Sequence, residues 1–130
     1  MHWIFFALTQ VLWFPVEARL PGLHPETGSV VAWLTETEHD FGEVKPGSTV
    51  KCTFTFRNAN AEPIVLQTVR TTCGCTAAEW PEAPIAPGDT GDIRIEFDGN
   101  RGGAFRKKIT AFFDKQRKAE VLWIQGEVTE

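Results

Sequence analysis

"STVKCTFTF", Ser48 to Phe56, decides how the chain folds: Val50, Cys52, Phe54 and Phe56 fall on one side of an extended backbone and Lys51, Thr53 and Thr55 on the other. A period of two with one apolar face is the pattern of a half-buried β-strand. The same alternation returns in Ile93, Ile95 and Phe97 against Arg94, Glu96 and Asp98. It returns again in Phe105, Ile109, Ala111 and Phe113 against Arg106, Lys108, Thr110 and Asp114. Shorter apolar segments, Val30 to Leu34, Ile64 to Val69 and Val121 to Ile124, lie between these runs.

Turn chemistry separates most of the segments: Lys45-Pro46-Gly47-Ser48, Asn58 to Pro63, Ala86-Pro87-Gly88-Asp89 and Asp98 to Gly103. Pro46, Gly47, Pro87 and Gly88 are therefore read as structural turn residues, together with Gly42 and Gly74. No stretch sustains a helical period between a cap and a stop. A sheet with one apolar face needs a cover, and without helices only a second sheet supplies it, so the expectation is an all-β antiparallel β-sandwich of about seven strands. "PGSTVKCTFTF", Pro46 to Phe56, and "PGDTGDIRIEF", Pro87 to Phe97, align without gaps at Pro, Gly, Thr and the final Phe. The likeness implies the same turn feeding the same kind of inward-facing strand twice, and it gives Cys52 a core position equivalent to that of Ile93.

The chain has 130 residues, enough for one domain. Its opening, "MHWIFFALTQVLWFPVEA", carries an apolar run from Trp3 to Val16 and then small residues placed as a signal peptidase requires. Residues 1–18 are read as a signal peptide, although only His2 and the α-amino group supply positive charge ahead of the run. At this length, and interrupted by Thr9, Gln10 and Pro15, the run is not expected to leave a stable membrane span after cleavage. The Pro- and Gly-containing residues 19–29 read as a linker and residues 30–130 as the domain, in the periplasm or outside the cell.

Thirteen Lys and Arg against seventeen Asp and Glu give a net charge of -4, which argues against nucleic acid as a partner. The cations Arg101, Arg106, Lys107, Lys108, Lys115, Arg117 and Lys118 cluster around one hairpin-like region and read as a solvated edge that resists strand addition. Enzyme signatures are missing. Ser29 and Ser48 are the only serines and neither stands in a nucleophile elbow, and there is no zinc-protease helix motif, Walker loop or dinucleotide fingerprint.

"RTTCGCTAAEWP", Arg70 to Pro81, holds two of the three cysteines. Three readings fit a Cys73-Gly74-Cys75 loop. A disulfide is possible, with Gly74 supplying unusual dihedrals, but chain entropy gives a three-residue ring only about 1.6 kcal/mol. A bridge from Cys52 to Cys73 would contribute about 3.4 kcal/mol, at the cost of folding the loop inward over a mid-strand position. Alternatively, two thiolates so close suit a soft ion such as copper(I), with His39 or Cys52 as a third ligand. The remaining reading is thiol exchange, with Arg70 as the nearest cation in sequence. His39 and Asp40 otherwise shape the turn before Phe41-Gly42, and Trp33, Trp80 and Trp123 are expected to be partly buried sandwich residues.

Taken in order, "HDFGEVKPGS", "FTFRNANAEPI", "TTCGCT", "IAPGDTGDIRIEF" and "VLWIQGEV" resemble the bacterial family catalogued as domain of unknown function 1573, from about Val30 to Val128. The resemblance implies an immunoglobulin-like sandwich, related to domains of ciliary and centrosomal proteins and to the major sperm protein fold. It also implies export, and no established activity. The expected function is a non-enzymatic binding or assembly module of the bacterial cell envelope with no cofactor, whose partner is a protein or an envelope polymer. The alternative is a thiol-redox or copper-binding protein that uses Cys73 and Cys75.

Overall fold

A computed structural model describes residues 28–129. The expected signal peptide and most of the linker lie outside the described residues. Eight strands form: β1 (Val31–Trp33), β2 (Glu38–Val44), β3 (Thr49–Asn58), β4 (Leu66–Thr71), β5 (Thr76–Glu79), β6 (Thr90–Asp98), β7 (Gly103–Phe113) and β8 (Glu120–Val128). They make two four-stranded sheets, ordered β1-β3-β6-β5 and β2-β8-β7-β4. The all-β sandwich stands as expected, with β2 and β5 as strands that no apolar alternation announces. One pairing departs from the antiparallel expectation: β2 runs parallel to β8.

The inward faces carry the alternating residues. Phe54 and Phe56 of β3, Ile93, Ile95 and Phe97 of β6, Ile109, Ala111 and Phe113 of β7, and Leu122 and Ile124 of β8 are all buried. Each buried Ile, Leu or Phe side chain of this kind stabilises the fold by about 1.5 to 3 kcal/mol relative to exposure. Phe56 holds the layers together at one end, its ring edge-on to Phe113 at 5.1 Å and to Trp33 at 5.8 Å.

The two aligned segments become β3 and β6, which pair with each other, Thr53 standing opposite Arg94 at the centre. Their turns are equivalent in detail. Ser48 N–H donates to Lys45 C=O (3.1 Å) and Asp89 N–H to Ala86 C=O (3.0 Å). Gly47 N–H reaches Gly99 C=O and Gly88 N–H reaches Asn58 C=O, both at 2.9 Å. Each turn thus closes the far end of the other strand. Gly47 and Gly88 take φ of 77° and 82°, the left-handed region a type II turn needs after proline.

Asn58, at the end of β3, is 2% exposed and fully bonded. Its amide donates to the carbonyls of Glu62 (2.9 Å) and Ile85 (2.8 Å), and its side-chain oxygen accepts from Asn60 N–H at 2.8 Å. One buried amide therefore shapes the Asn58 to Pro63 turn and ties it to the strand-like contact between Ile64 and Ile85.

The β2–β8 ladder is irregular between Asp40 and Glu43. Gly42 takes φ 66° there and its N–H is held by Asp40 Oδ1 at 2.7 Å. His39 and Asp40 thus belong to a strand and not to a turn before it, with Asp40 shaping the bulge that follows.

Candidate functional site

Thr72, Cys73, Gly74 and Cys75 form the short link from β4, an edge of one sheet, to β5, an edge of the other. The loop therefore spans the open side of the sandwich. Cys73 and Cys75 are joined by a disulfide with their Cα atoms 5.3 Å apart. Thr76 N–H donates to Cys73 C=O (3.3 Å), closing a β-turn, and Asp98 N–H donates to Cys75 C=O (2.9 Å). The Thr71 hydroxyl donates toward the carbonyls of Cys73 and Thr76 at 3.3 and 3.2 Å. Beneath the bridge the buried Thr76 hydroxyl lies 3.6 Å from Cys73 Sγ and 3.9 Å from Cys75 Sγ. Since bridged sulfurs carry no hydrogen, Thr76 is the donor, and its single hydrogen serves one sulfur at a time, Cys73 Sγ being the nearer.

Gly74 differs from the expectation. It is not among the glycines with positive φ, and a Cβ built on it meets nothing within 4 Å. Neither backbone conformation nor crowding requires glycine at that position.

The accessory ligands are not assembled around the loop. Cys52 lies on β3, separated from β5 by β6. Two strand spacings are roughly 9.5 Å, beyond the span of a disulfide, so the longer bridge to Cys73 does not form. His39 lies on β2, at the opposite edge of its sheet from β4, three spacings or roughly 14 Å away. The His39 ring instead packs edge-on to Phe41 at 4.6 Å. Among the described residues no group of three or more His, Cys, Asp or Glu side chains gathers as a metal site. The bridged sulfurs would also need reduction before either could act as a thiolate ligand.

Cys52 packs against the core, and burial pushes its thiol up from 9.0 to about 11. The neutral form is the one the fold accommodates, so stability is retained below pH 9 and declines as pH rises toward 11. Replacing Cys52 with Ala should flatten that alkaline decline in urea midpoints, and the native Cys52 should alkylate slowly at pH 8 until denaturant is added. Fast alkylation of the folded protein would contradict the assignment.

The cations around the site are not the ones nearest in sequence. Arg70 turns away, its guanidinium 5.2 Å from the Phe112 ring centroid. Arg106 also turns away, onto Trp123 (4.4 Å) and the Glu38 carboxylate (2.8 Å). Lys107, the next residue, points the other way. A crevice of about 570 Å³ beside the disulfide is lined by Cys73, Cys75, Phe97, Asp98, Arg101, Phe105 and Lys107 among others. Phe97 and Phe105 stack at 4.0 Å along its wall. The reading of the clustered cations as a solvated edge therefore fails for Arg106, Lys107 and Lys108, because β7 is a central strand between β8 and β4. Strand alternation also puts Lys107 on the inward side, between Phe105 and Ile109.

A second cleft, about 680 Å³, lies where β5 stops at Glu79 while β6 continues, and is lined by Trp80, Glu82, Asp92 and Arg94 among others. Trp33, Trp80 and Trp123 are all half-buried.

The family model described as "Protein of unknown function (DUF1573)" matches residues 33–128. The chain belongs to this family. No curated protein matches it. Among solved structures, a protein of unknown function from Porphyromonas gingivalis W83 superposes with a TM-score of 0.65 at 23% identity, covering 75% of this chain and 46% of that one. The human CEP192 ASH/PapD-like domain gives 0.66 at 10% identity, covering 91% of this chain and 98% of that domain. The secreted serine protease VesC from Vibrio cholerae gives 0.58 at 16% identity, covering 75% of this chain but 23% of the protease. These likenesses establish an immunoglobulin-like fold for the DUF1573 domain and nothing about its chemistry. Among the described residues no helix is long and apolar enough to cross a membrane.

Proposed function

We propose that this DUF1573 domain is an exported, non-enzymatic binding or assembly module of the bacterial cell envelope that receives an extended segment of a partner protein along β2. The observation that carries the reading is the outer edge of β2, which no other strand pairs among the described residues. With seven residues it is the longest of the four edge strands formed by those residues, and among them it is laddered only to β8. Extended peptides add to such edges through main-chain hydrogen bonds. The bulge at Phe41 and Gly42 interrupts the edge and leaves Glu38 to Asp40 as its regular first part, which restricts indiscriminate pairing. The other edges are less available: β1 has three residues, β5 has four, and β4 runs directly into the disulfide loop.

The non-enzymatic part of the reading is supported by the serine hydroxyls. Ser29 Oγ is hydrogen-bonded to Val31 C=O and to the Glu120 carboxylate, and Ser48 Oγ donates to Lys45 C=O at 2.6 Å. Both hold local structure. Export rests on the apolar leader, and the mature chain is expected to begin near Arg19.

A photo-crosslinking residue at position 39 tests the binding mode in cells, with position 108 on the outer face of the same sheet as control. The expected result is a discrete protein adduct from position 39 only. Equal labelling from both positions, or a polymer adduct, would remove the proposal of a protein on this edge. Intact mass of the product made with its own leader tests export, and an uncleaved chain would refute it.

A further inference from the structure

We infer that the crevice beside the Cys73–Cys75 disulfide is a site for small anionic thiols, and that the disulfide exchanges with them. This inference is independent of strand addition at β2, because no residue of β2 lines the crevice and β8 separates β2 from β7.

Lys107 is the first indication. It occupies an inward-facing position of β7, where the sandwich would use an apolar side chain, and it is half-buried. None of the ion pairs among the described residues includes Lys107 or Arg101. The one carboxylate lining the crevice, Asp98, accepts the Thr49 hydroxyl at 2.7 Å. A half-buried cation that lines the same crevice as the two cysteines, with the exposed Arg101 as a second cation in the lining, favours an anion at that place. The stacked Phe97 and Phe105 rings give the crevice an apolar wall against which a small organic anion can rest.

The bridge itself is suited to turnover. It encloses a single intervening residue, so opening it releases little chain entropy, about 1.6 kcal/mol at most, and the turn is held independently by Thr71, Thr76 and Asp98. The buried Thr76 hydroxyl lies within 4 Å of both sulfurs and can donate its one hydrogen to the thiolate that forms.

The exchange balances with two molecules of thiol. A first thiolate attacks one sulfur, a bond forms between them, and the Cys73–Cys75 bond breaks with its electron pair leaving on the other sulfur. Thr76, Lys107 and Arg101 stabilise that departing thiolate. A second thiolate attacks the external sulfur of the mixed disulfide, giving an oxidised external disulfide and a reduced Cys73 and Cys75 pair. The two protons lost by the external thiols are taken up by the cysteines.

The test compares reduction of the oxidised domain by 2-mercaptoethanesulfonate, an anion, and cysteamine, a cation, at equal thiolate concentration, followed by acid quench and intact mass. The anion should react about tenfold faster, an advantage that 0.5 M salt reduces. Lys107→Gln should abolish the preference and Lys107→Arg should keep it, with unchanged thermal unfolding showing that both variants fold. Equal rates for the two thiols, a preference that survives Lys107→Gln, or a bridge inert to both thiols would each overturn the inference.

Discussion

Replacing Asn58 with leucine is expected to lower the unfolding free energy by about 2 to 4 kcal/mol, seen as a fall in the urea midpoint at unchanged slope. Leucine fits the buried volume but makes none of the hydrogen bonds that Asn58 makes to Glu62, Ile85 and Asn60. Ile85 C=O keeps the Ile64 N–H as a partner, whereas Glu62 C=O and Asn60 N–H lose theirs. A second substitution separates hydrogen bonding from packing. Asn58→Asp preserves shape but turns an acceptor toward two carbonyl oxygens. Its buried carboxyl would titrate above the usual range, so the variant should regain stability as pH falls toward 5. A pH-independent loss for Asn58→Asp would show that packing, and not the donor pair, sets the cost.

The second large effect belongs to Phe56. Truncation to alanine should cost about 3 to 5 kcal/mol, because a fully buried ring between Phe113 and Trp33 leaves a cavity that two sheets cannot close. The sign of a neighbouring change tests the geometry. A Cβ on Gly91 would stand 2.6 Å from Phe56 Cζ and 2.9 Å from Ile85 Cδ1, so Gly91→Ala alone should destabilise by about 1 to 3 kcal/mol. With Phe56 already truncated, its two contacts with the added methyl are gone and the end of the Ile85 side chain can move into the vacated space. The double variant should therefore be more stable than the sum of the single losses predicts, by about 1 kcal/mol or more in a double-mutant cycle. Simple additivity would mean that Phe56 yields without strain and that Gly91 is not there for its sake.

Much of this fold is legible because Val50 to Phe56 and Ile93 to Phe97 alternate without interruption, and because two Pro-Gly turns mark where those strands begin. β2 is hidden for a physical reason. Its inward apolar residues, Phe41 and Val44, are three apart, since the bulge at Gly42 breaks the period of two, and its first residues are the polar Glu38, His39 and Asp40. β5 is hidden by brevity, with Thr76 its one buried residue. At the site, the two cysteines and their tight loop are legible, but the surrounding charge is not. Arg106, Lys107 and Lys108 look alike as a run. The parity that sends Phe105 and Ile109 inward also sends Lys107 inward, and that signal was present in the alternation itself. Thr76 lies against the disulfide, and Arg101 joins it in lining one crevice, only through the meeting of loop and strand ends, which no local pattern encodes.

The matched turns of β3 and β6 make the centre of one sheet nearly indifferent to which strand is which. Rotation about the Thr53–Arg94 pair carries Phe56 onto Phe97 and Gly91 onto Val50. By that rotation two copies of β3, from separate molecules, could line up in the same register as β3 and β6 within one chain. What distinguishes the pairings is the residue facing Phe56: Gly91 leaves space for the ring, whereas a valine from a second β3 would occupy it. A missing side chain thus fits β6, and not a second copy of β3, to the ring of Phe56.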